Sequence, residues 1–599
     1  MKNRFDYPDD LEPFHVDDEL LEKIRDSDSK VDEIEGYQGN PITGVGDVYT
    51  PEPIVEFILD SVGYTADNKI EHQKIADLSC GTGSFVRAIT ERLRDRMIRI
   101  GYDPETSEGA EQIISTVKNN IYAYDINSLA VWRTAQHILS VLDSEIVAAD
   151  KSNPVSSLPI FHANSLKRDT EISYSKFDVI VGNPPYIKNR DISDKDDKIY
   201  REQYDSATGK YDTYLLFFER GTELLDVDGN LGFVTPDRFH HTDYGEKLRE
   251  ILLNRTYLNS IIKIEDNPFP VVNAYPSITI LRRQDNSFPN YQRENEFWYC
   301  ECDTASLGEL SETLNCDSGS MPNLCTKINQ NALSTDGWLF TSPEIKKLQT
   351  KLRNRNPVIK NTNIRIKTGI ATGADDIYIL SENDAQRMSA KVVYPLIKGE
   401  DVKKGKISED RYIINPYDEN GAPMDLDNYP EVKKYLEYHR PALEERYCVR
   451  EQGKIWYETH DTIQTDLETS KRIVTPDLTS TSRFAVTERK ISHNTCYSFF
   501  SEEELDALAA ALNSSVFEFL LKSSLPEMDS GFWRQMKRDL VDLPVPLPSQ
   551  LGPKIENRLG QHYRKHEWDE IDSLIYDALD LKSDEINLIE SFTPTRKSD

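Results

Sequence analysis

Long apolar runs are missing from this 599-residue chain, and basic charge and cysteine are both in short supply. No apolar run approaches the roughly 20 residues that cross a bilayer as a helix, which excludes a helical membrane protein. The opening residues Met1-Lys2-Asn3-Arg4-Phe5-Asp6 lack the apolar core of a signal peptide, so a cytoplasmic protein without a membrane partner is expected. Seven cysteines cannot all pair, and none stands in a Cys-x-x-Cys arrangement; reduced thiols are expected rather than a disulfide framework. Cys300 and Cys302, with Cys316 and Cys325 behind them, leave a zinc site as an alternative, and their irregular spacing speaks against it.

Lysine and arginine number 71 against 103 aspartates and glutamates, a formal charge of −32. Such a field repels polyanions. Either the partner is not a nucleic acid, or the protein works in concentrated salt, where the screening length shrinks to about 3 Å at 1 M. The acidic residues are spread over all regions instead of being gathered in a tail, which fits a solvated acidic surface on an ordinary fold. A halophile source is therefore the expectation. With 38% hydrophobic residues the chain can bury a large core, and its length calls for two or three domains.

What is present is a set of short apolar strands, each ending in a polar residue. The central one is Phe177-Asp178-Val179-Ile180-Val181-Gly182, a pattern for a strand covered on both faces, and it runs straight into Asn183-Pro184-Pro185-Tyr186. Gly182 allows a sharp turn at the strand's carboxyl end, where open α/β sheets bind ligands. Two prolines fix the backbone and remove donors, leaving a carbonyl and the Asn183 amide oxygen as acceptors suited to an amino group. A plain Pro-rich turn is the alternative.

Earlier, Gly46-Asp47-Val48-Tyr49-Thr50-Pro51-Glu52-Pro53 reads as a helix start, with Thr50 as N-cap and Pro51 at the first helical position. Lys74-Ile75-Ala76-Asp77-Leu78-Ser79-Cys80-Gly81-Thr82-Gly83 is a strand ending in Asp77 and a Gly-x-Gly loop that opens a helix. The third spaced glycine and the P-loop lysine are absent, which disfavours phosphate binding. Ile121-Tyr122-Ala123-Tyr124-Asp125 is a second strand; its terminal carboxylate suits a ribose or simply a turn. Ile160-Phe161-His162-Ala163-Asn164 is a third. Strands alternating with helical segments imply parallel crossovers and a doubly wound α/β sheet. Past Tyr186, a charged, strand-poor loop to about Lys210 precedes an amphipathic helix start at Tyr211-Asp212-Thr213-Tyr214. Strands are expected at Gly229–Pro236 and Ser277–Leu281, the second preceded by Asn267-Pro268-Phe269-Pro270.

In this order the stretches resemble the motif series of the gamma-class, TaqI-like adenine-N6 DNA methyltransferases, the type II restriction–modification methylases with a C-terminal target-recognition domain. The likeness runs from about Tyr49 to the end. It implies a Rossmann-like, doubly wound S-adenosylmethionine-dependent methyltransferase domain at 41–330, a mixed α+β DNA target-recognition domain at 331–550, an acidic arm at 1–40 and a C-terminal helical segment at 551–599. It further implies that Tyr49 and Thr50 meet the methionine part of S-adenosyl-L-methionine, that Asp77, Gly81 and Gly83 cradle it, that Asp125 holds its ribose, and that Asn164 and Phe217 border its adenine. Two positions depart from the family's habit: Asn164 replaces an aspartate and Leu78 a proline. In the later part, Lys367–Asp376, Leu396–Asp401, Leu512-Asn513-Ser514 and Leu543–Pro546 resemble the recognition domain. The basic residues Lys351, Arg353, Arg355, Lys403, Lys404, Arg534, Lys537 and Arg538 either meet phosphates or form solvated surface.

The reaction implied is methyl transfer to the N6 amine of an adenine flipped out of double-stranded DNA. Asn183 and the Pro184 carbonyl would take its two protons, Pro185 would stiffen the turn and Tyr186 would stack on the base. Phe269 would close the other side or be a core residue. Methyltransferases acting on protein glutamine or on the guanine amine of RNA share the tetrapeptide and remain alternatives, as does a cofactor-bound DNA-binding subunit without turnover. Neither end is expected to hold a nuclease domain, so a separately encoded restriction endonuclease is the expected partner.

Overall fold

The computed structural model describes residues 12–16, 49–149, 155–168, 172, 176–266, 268–269, 276–284, 295–315, 325–408, 411–418, 420–464, 470–488, 490–525, 527–528 and 531–593. The amphipathic turn expected around Leu20–Arg25 and the zinc candidate Cys316 lie outside these residues. The chain divides into two compact units, Met1–Ser342 and Pro343–Asp599.

In the first unit the strands are β1 (Phe14–His15), β2 (Ile75–Asp77), β3 (Ile121–Asp125), β4 (Ser157–Leu158), β5 (Ile160–His162), β6 (Phe177–Gly182), β7 (Leu225–Pro236), β8 (Thr256–Ile264), β9 (Pro276–Arg283), β10 (Glu296–Cys302) and β11 (Cys325–Asn329). Nine of them form one sheet in the order β11-β10-β8-β9-β7-β6-β2-β3-β5. The run β5-β3-β2-β6-β7 is parallel throughout, and β9 is antiparallel to both of its neighbours. From β2 the chain steps outward to β3 and β5, then returns to β6 on the other side of β2. The gap between β2 and β6 is thus the point where strand order reverses, the place where such sheets receive ligands.

Alternation along the strands divides the core into two layers. Ile75, Ala123, Val179 and Val181 join a cluster with residues of α1 (Glu52–Ser61), α2 (Ser84–Arg99), α3 (Ser107–Asn120) and α4 (Ser128–Val141). Ala76, Tyr124, Phe177 and Ile180 join another with residues of two later helices, α7 (Thr213–Leu224) and α8 (Glu246–Arg255), which follow α5 (Asp143–Ala148) and α6 (Asp194–Gln203). A strand buried on both faces reads as a near-continuous apolar run, and β6 does so from Val179 to Val181; its one charged residue, Asp178, lies near the strand start, half-buried, where its carboxylate accepts the Lys74 N–H at 2.8 Å. Caps fix the helix starts locally: the Thr106 hydroxyl accepts from the Gly109 N–H at the start of α3, and the Asn127 side chain accepts from the Leu129 N–H at the start of α4.

The structure corrects four sequence expectations here. The first helix begins at Glu52 with Pro51 in the N-cap place and no side-chain cap, so Thr50 is not the cap. The stretch after Tyr186 contains α6, whose N-cap Ser193 accepts from the Asp196 N–H. Helix α7 is buried nearly all round, Glu219 and Arg220 included, rather than amphipathic. Cys300 and Cys325 stand opposite each other in the antiparallel β10–β11 pair and are joined as a disulfide, so not all thiols are free. That bond removes both from metal binding, and no metal-holding group of His, Cys, Asp and Glu exists among the described residues.

The second unit is mixed. Among its described residues are two four-stranded sheets, a short hairpin and a three-stranded sheet, and a helical core in which Leu508 and Phe517 share a buried cluster with Leu559, Ile571, Ile575 and Ile589 of the C-terminal helices. Chain alternation of α and β is lost, which matches an α/β methyltransferase fold followed by a separate α+β domain.

Candidate active site

Two strand ends meet at the reversal point. Asp77 closes β2, Val181 is its register partner in β6, and Gly182 follows. A Cβ on Gly182 would lie 2.9 Å from the Asp77 Oδ1, so only glycine lets the tetrapeptide backbone pass this close to the carboxylate. Asp77 is 2% exposed and its Oδ1 accepts from the Ser79 N–H at 3.0 Å. Burial, with the nearby Asp125 charge adding, pushes its carboxyl up to about 7 against the pull of the Ser79 N–H.

The Gly-x-Gly loop is held from the neighbouring strand. The Asp125 carboxylate accepts the Gly81 N–H at 2.9 Å through Oδ2 and the Asn127 N–H at 2.8 Å through Oδ1. The Thr134 hydroxyl donates to the Gly81 carbonyl at 3.1 Å. Gly83, at φ 92°, sits against Thr134, where a Cβ would come within 2.9 Å of its Oγ1. Gly81, at φ 51°, is different: a Cβ there would meet nothing within 4 Å. One glycine is needed for close packing and the other opens onto free space, which is the shape of a cradle.

Asn164 is engaged on both sides: its Nδ2 donates to the Tyr200 hydroxyl of α6 at 2.9 Å and its Oδ1 accepts from the Leu166 N–H at 3.1 Å. Phe217 is buried in the same cluster as Leu78 and Ile180. Tyr49 is exposed beside buried Thr50.

The tetrapeptide is the most constrained part. Asn183 Nδ2 donates to Thr50 Oγ1 at 3.1 Å, and the Tyr186 hydroxyl donates to Asn183 Oδ1 at 2.6 Å and more distantly to the Val234 carbonyl at 3.4 Å. The Tyr186 ring meets Tyr214 edge to face, centroids 6.1 Å apart at 82°. Behind it, the Thr213 hydroxyl donates to the Pro185 carbonyl at 2.5 Å, and the Thr213 N–H donates to the Ile187 carbonyl at 2.8 Å. The start of α7 is thereby tied to the turn. Among the described residues the Pro184 carbonyl accepts no hydrogen bond.

Asn183, Tyr186 and Thr50 are thus joined directly, and Gly81 and Asp125 form a second linked pair, with the buried Asp77 carboxylate near enough to feel the Asp125 charge. Phe269 is buried at 2% exposure in a cluster with Val234, Ile264 and Ile278, the core reading of that residue. Sequence reasoning missed Thr213, Thr134 and Tyr200. Thr213 lay inside the Tyr-Asp-x-Tyr stretch and was the one with a signal.

In the second unit, the strand Phe532–Arg534 pairs with Leu478–Thr479, with Leu478 opposite Arg534. Phe532, Arg534 and Met536 alternate outward and are exposed, as are Lys537, Arg538 and Leu478, while Gln535 is fully buried. An apolar face edged by three cations is unusual in a chain of charge −32.

Residues 119–269 match the Eco57I restriction-modification methylase family and residues 394–545 match the TaqI-like C-terminal specificity domain. The chain is 28% identical over 561 residues to the type II methyltransferase M.BstVI of Geobacillus stearothermophilus, covering 91% of this chain and 98% of the relative. It is 27% identical to the type II methyltransferase M.PaeR7I of Pseudomonas aeruginosa over 85% of this chain and 88% of that one. The type IIL restriction-modification enzyme MmeI, solved in complex with DNA, shares the fold with a TM-score of 0.57 at 12% identity, over 90% of this chain and 74% of that one. The two family domains in this order, and relatives matched over nearly their whole length, support reading the chain as a gamma-class methylase of the type II restriction–modification kind, to which it is similar from end to end.

Proposed function

We propose that this chain transfers a methyl group from S-adenosyl-L-methionine to the N6 amine of an adenine flipped out of double-stranded DNA at a defined site, in a restriction–modification system with a separately encoded endonuclease. The observation that carries the reading is the Asn183 amide, held at the end of β6 with its oxygen beside Tyr186 and its nitrogen on Thr50. The Gly81 cradle and the buried Asp77 carboxylate fit the cofactor: the loop has open space, and a carboxylate held toward its neutral form gains from a nearby cation. S-adenosylmethionine would supply an electrophilic methyl sulfonium. Asp77, Gly81, Gly83 and Asp125 would hold it, with Tyr49, Asn164 and Phe217 at its edges.

An exocyclic adenine amine is a poor nucleophile because its lone pair is delocalised into the ring. Asn183 Oδ1 has two lone pairs, and the Tyr186 hydroxyl uses one. The other accepts one N6 proton, and the Pro184 carbonyl accepts the second. Two acceptors on one side favour a tetrahedral nitrogen with its lone pair on the other, so orientation carries much of the barrier. Neither acceptor is basic enough to keep a proton, so the proton released after transfer leaves to water. Tyr186 stacks on the base and offsets part of the cost of flipping. Leu478, Phe532, Arg534 and Met536 are the surface we assign to DNA in the second unit.

Asn183→Ala tests this. Calorimetry should show cofactor binding retained, while methyl transfer to DNA, read as N6-methyladenine by mass spectrometry of digested product, falls by orders of magnitude. Near-normal turnover, or methyl on another base, overturns the assignment.

A further inference from the structure

We propose that Thr50 is a positioning residue for the Asn183 amide, acting on the chemical step and not through cofactor affinity; the inference rests on Asn183 being the acceptor of the substrate amine. Thr50 and Asn183 are 133 residues apart in sequence. Thr50 is 4% exposed, and a buried hydroxyl needs a partner; among the described residues its oxygen accepts from Asn183 Nδ2. Its backbone is held without help from any ligand, because Pro51 follows and restricts the residue before it to extended conformations.

An amide has two ends of nearly equal shape and opposite chemistry. Turned one way, Asn183 offers an acceptor to an amine; turned the other, it sets one NH2 against another. Rotation about the terminal torsion is soft and close to two-fold, so packing alone does not choose. The distances here choose. A contact of 2.6 Å to Tyr186 suits O–H···O, whereas an N–H···O bond has its mode near 2.9–3.0 Å, and the 3.1 Å contact to Thr50 suits N–H···O. Tyr186 holds one end only. With Thr50 on the other end the amide plane is fixed from both sides, and the free lone pair of Oδ1 has one direction. The region before α1, which the family resemblance gives to the cofactor's methionine part, is in this way linked directly to the acceptor.

The test uses the full-length protein with Thr50→Val, which keeps the branched shape and loses the hydrogen bond, and Thr50→Ser, which keeps the bond. Thr50→Val should lower kcat about tenfold, the loss of one net hydrogen bond. Its Kd for S-adenosylmethionine by calorimetry and its KM for DNA should stay within about twofold of the wild type, and Thr50→Ser should restore the rate. In an Asn183→Ala background, Thr50→Val should change nothing further. Weaker cofactor binding with unchanged kcat at saturation overturns the proposal and returns Thr50 to the cofactor. A second equal loss on top of Asn183→Ala also overturns it. If Asn183→Ala itself keeps its turnover, the acceptor role of Asn183 fails instead. Crystal structures of wild type and Thr50→Val give a readout independent of activity: the Asn183 amide should rotate or split between two orientations, and an unmoved amide overturns the proposal.

Discussion

Tyr186 contributes in two separable ways, and replacing it first by Phe and then by Ala separates them. Tyr186→Phe deletes the hydroxyl that donates at 2.6 Å to Asn183 Oδ1 and at 3.4 Å to the Val234 carbonyl, while leaving the ring that meets Tyr214. A net hydrogen bond is worth about 0.5–1.5 kcal/mol, or about two- to thirteenfold in rate if the loss falls on the transition state. Tyr186→Ala also removes the face that receives the base, about 1–3 kcal/mol for a base–aromatic stack. Together these give about 1.5–4.5 kcal/mol, or about ten- to two-thousandfold. From the sequence alone Phe is a mild change because the ring survives; the structure makes it measurable because the hydroxyl orients the acceptor. The assay is single-turnover transfer of a labelled methyl group to duplex DNA at saturating cofactor, with melting temperature as a folding control. A Phe variant as fast as the wild type would show that the hydroxyl does not hold the amide, and equal losses in Phe and Ala would remove stacking from the mechanism.

Asp77 should give the apo protein a pH signature. Its raised pKa means that the folded state keeps a proton the unfolded chain has lost between the usual value of 3.8 and about 7, so this residue's contribution falls as pH rises through that window and is level above it. Relative to Asp77→Asn, the wild type should lose about 3 kcal/mol from pH 5 to 7 at two units of 1.36 kcal/mol, seen as diverging melting temperatures; parallel profiles would contradict it. Arg534→Ala should weaken duplex binding without altering cofactor affinity, lowering the log–log salt slope by about 1 if it meets a phosphate or relaxing sequence choice if it meets a base edge. No change in either quantity would move DNA off that face. The acidic surface predicts that thermal stability and methylation both rise from about 0.1 M to several molar potassium chloride, and a maximum of both at the lowest salt would exclude adaptation to salt.

The strand ends were legible because each combines an apolar run with a polar stop: Asp77, Asp125 and Asn183 all stand where strand logic put them. The partners of those residues were not legible. Thr50 followed by proline reads locally as an N-cap, and only the position of β6 shows that its hydroxyl serves Asn183 instead. The Cys300–Cys325 pair follows from β10 lying beside β11, a strand order that residue spacing does not encode. Helix α7 was misread because Glu219 and Arg220 look like a solvent face; in the structure Glu219 accepts the backbone N–H of Ser206 and Arg220 donates to the Ser165 carbonyl, so their polar heads are satisfied inside. Phe269 could be read two ways from its neighbours in sequence, and burial places it in the core.

The carboxylate of Asp125 has a consequence for anyone altering the cofactor site. Because it clasps the N–H groups of both Gly81 and Asn127, the shape of the glycine loop is borrowed from the end of the adjacent strand. A substitution at Asp125 releases that loop whether or not a ribose ever touches the side chain, so weakened binding in such a variant reports a collapsed scaffold as readily as a lost ligand contact. Re-engineering toward bulkier cofactor analogues should therefore keep Asp125 as a keystone and leave Gly81 a glycine, because its φ of 51° strains any side chain while the open space beside it is left for the ligand.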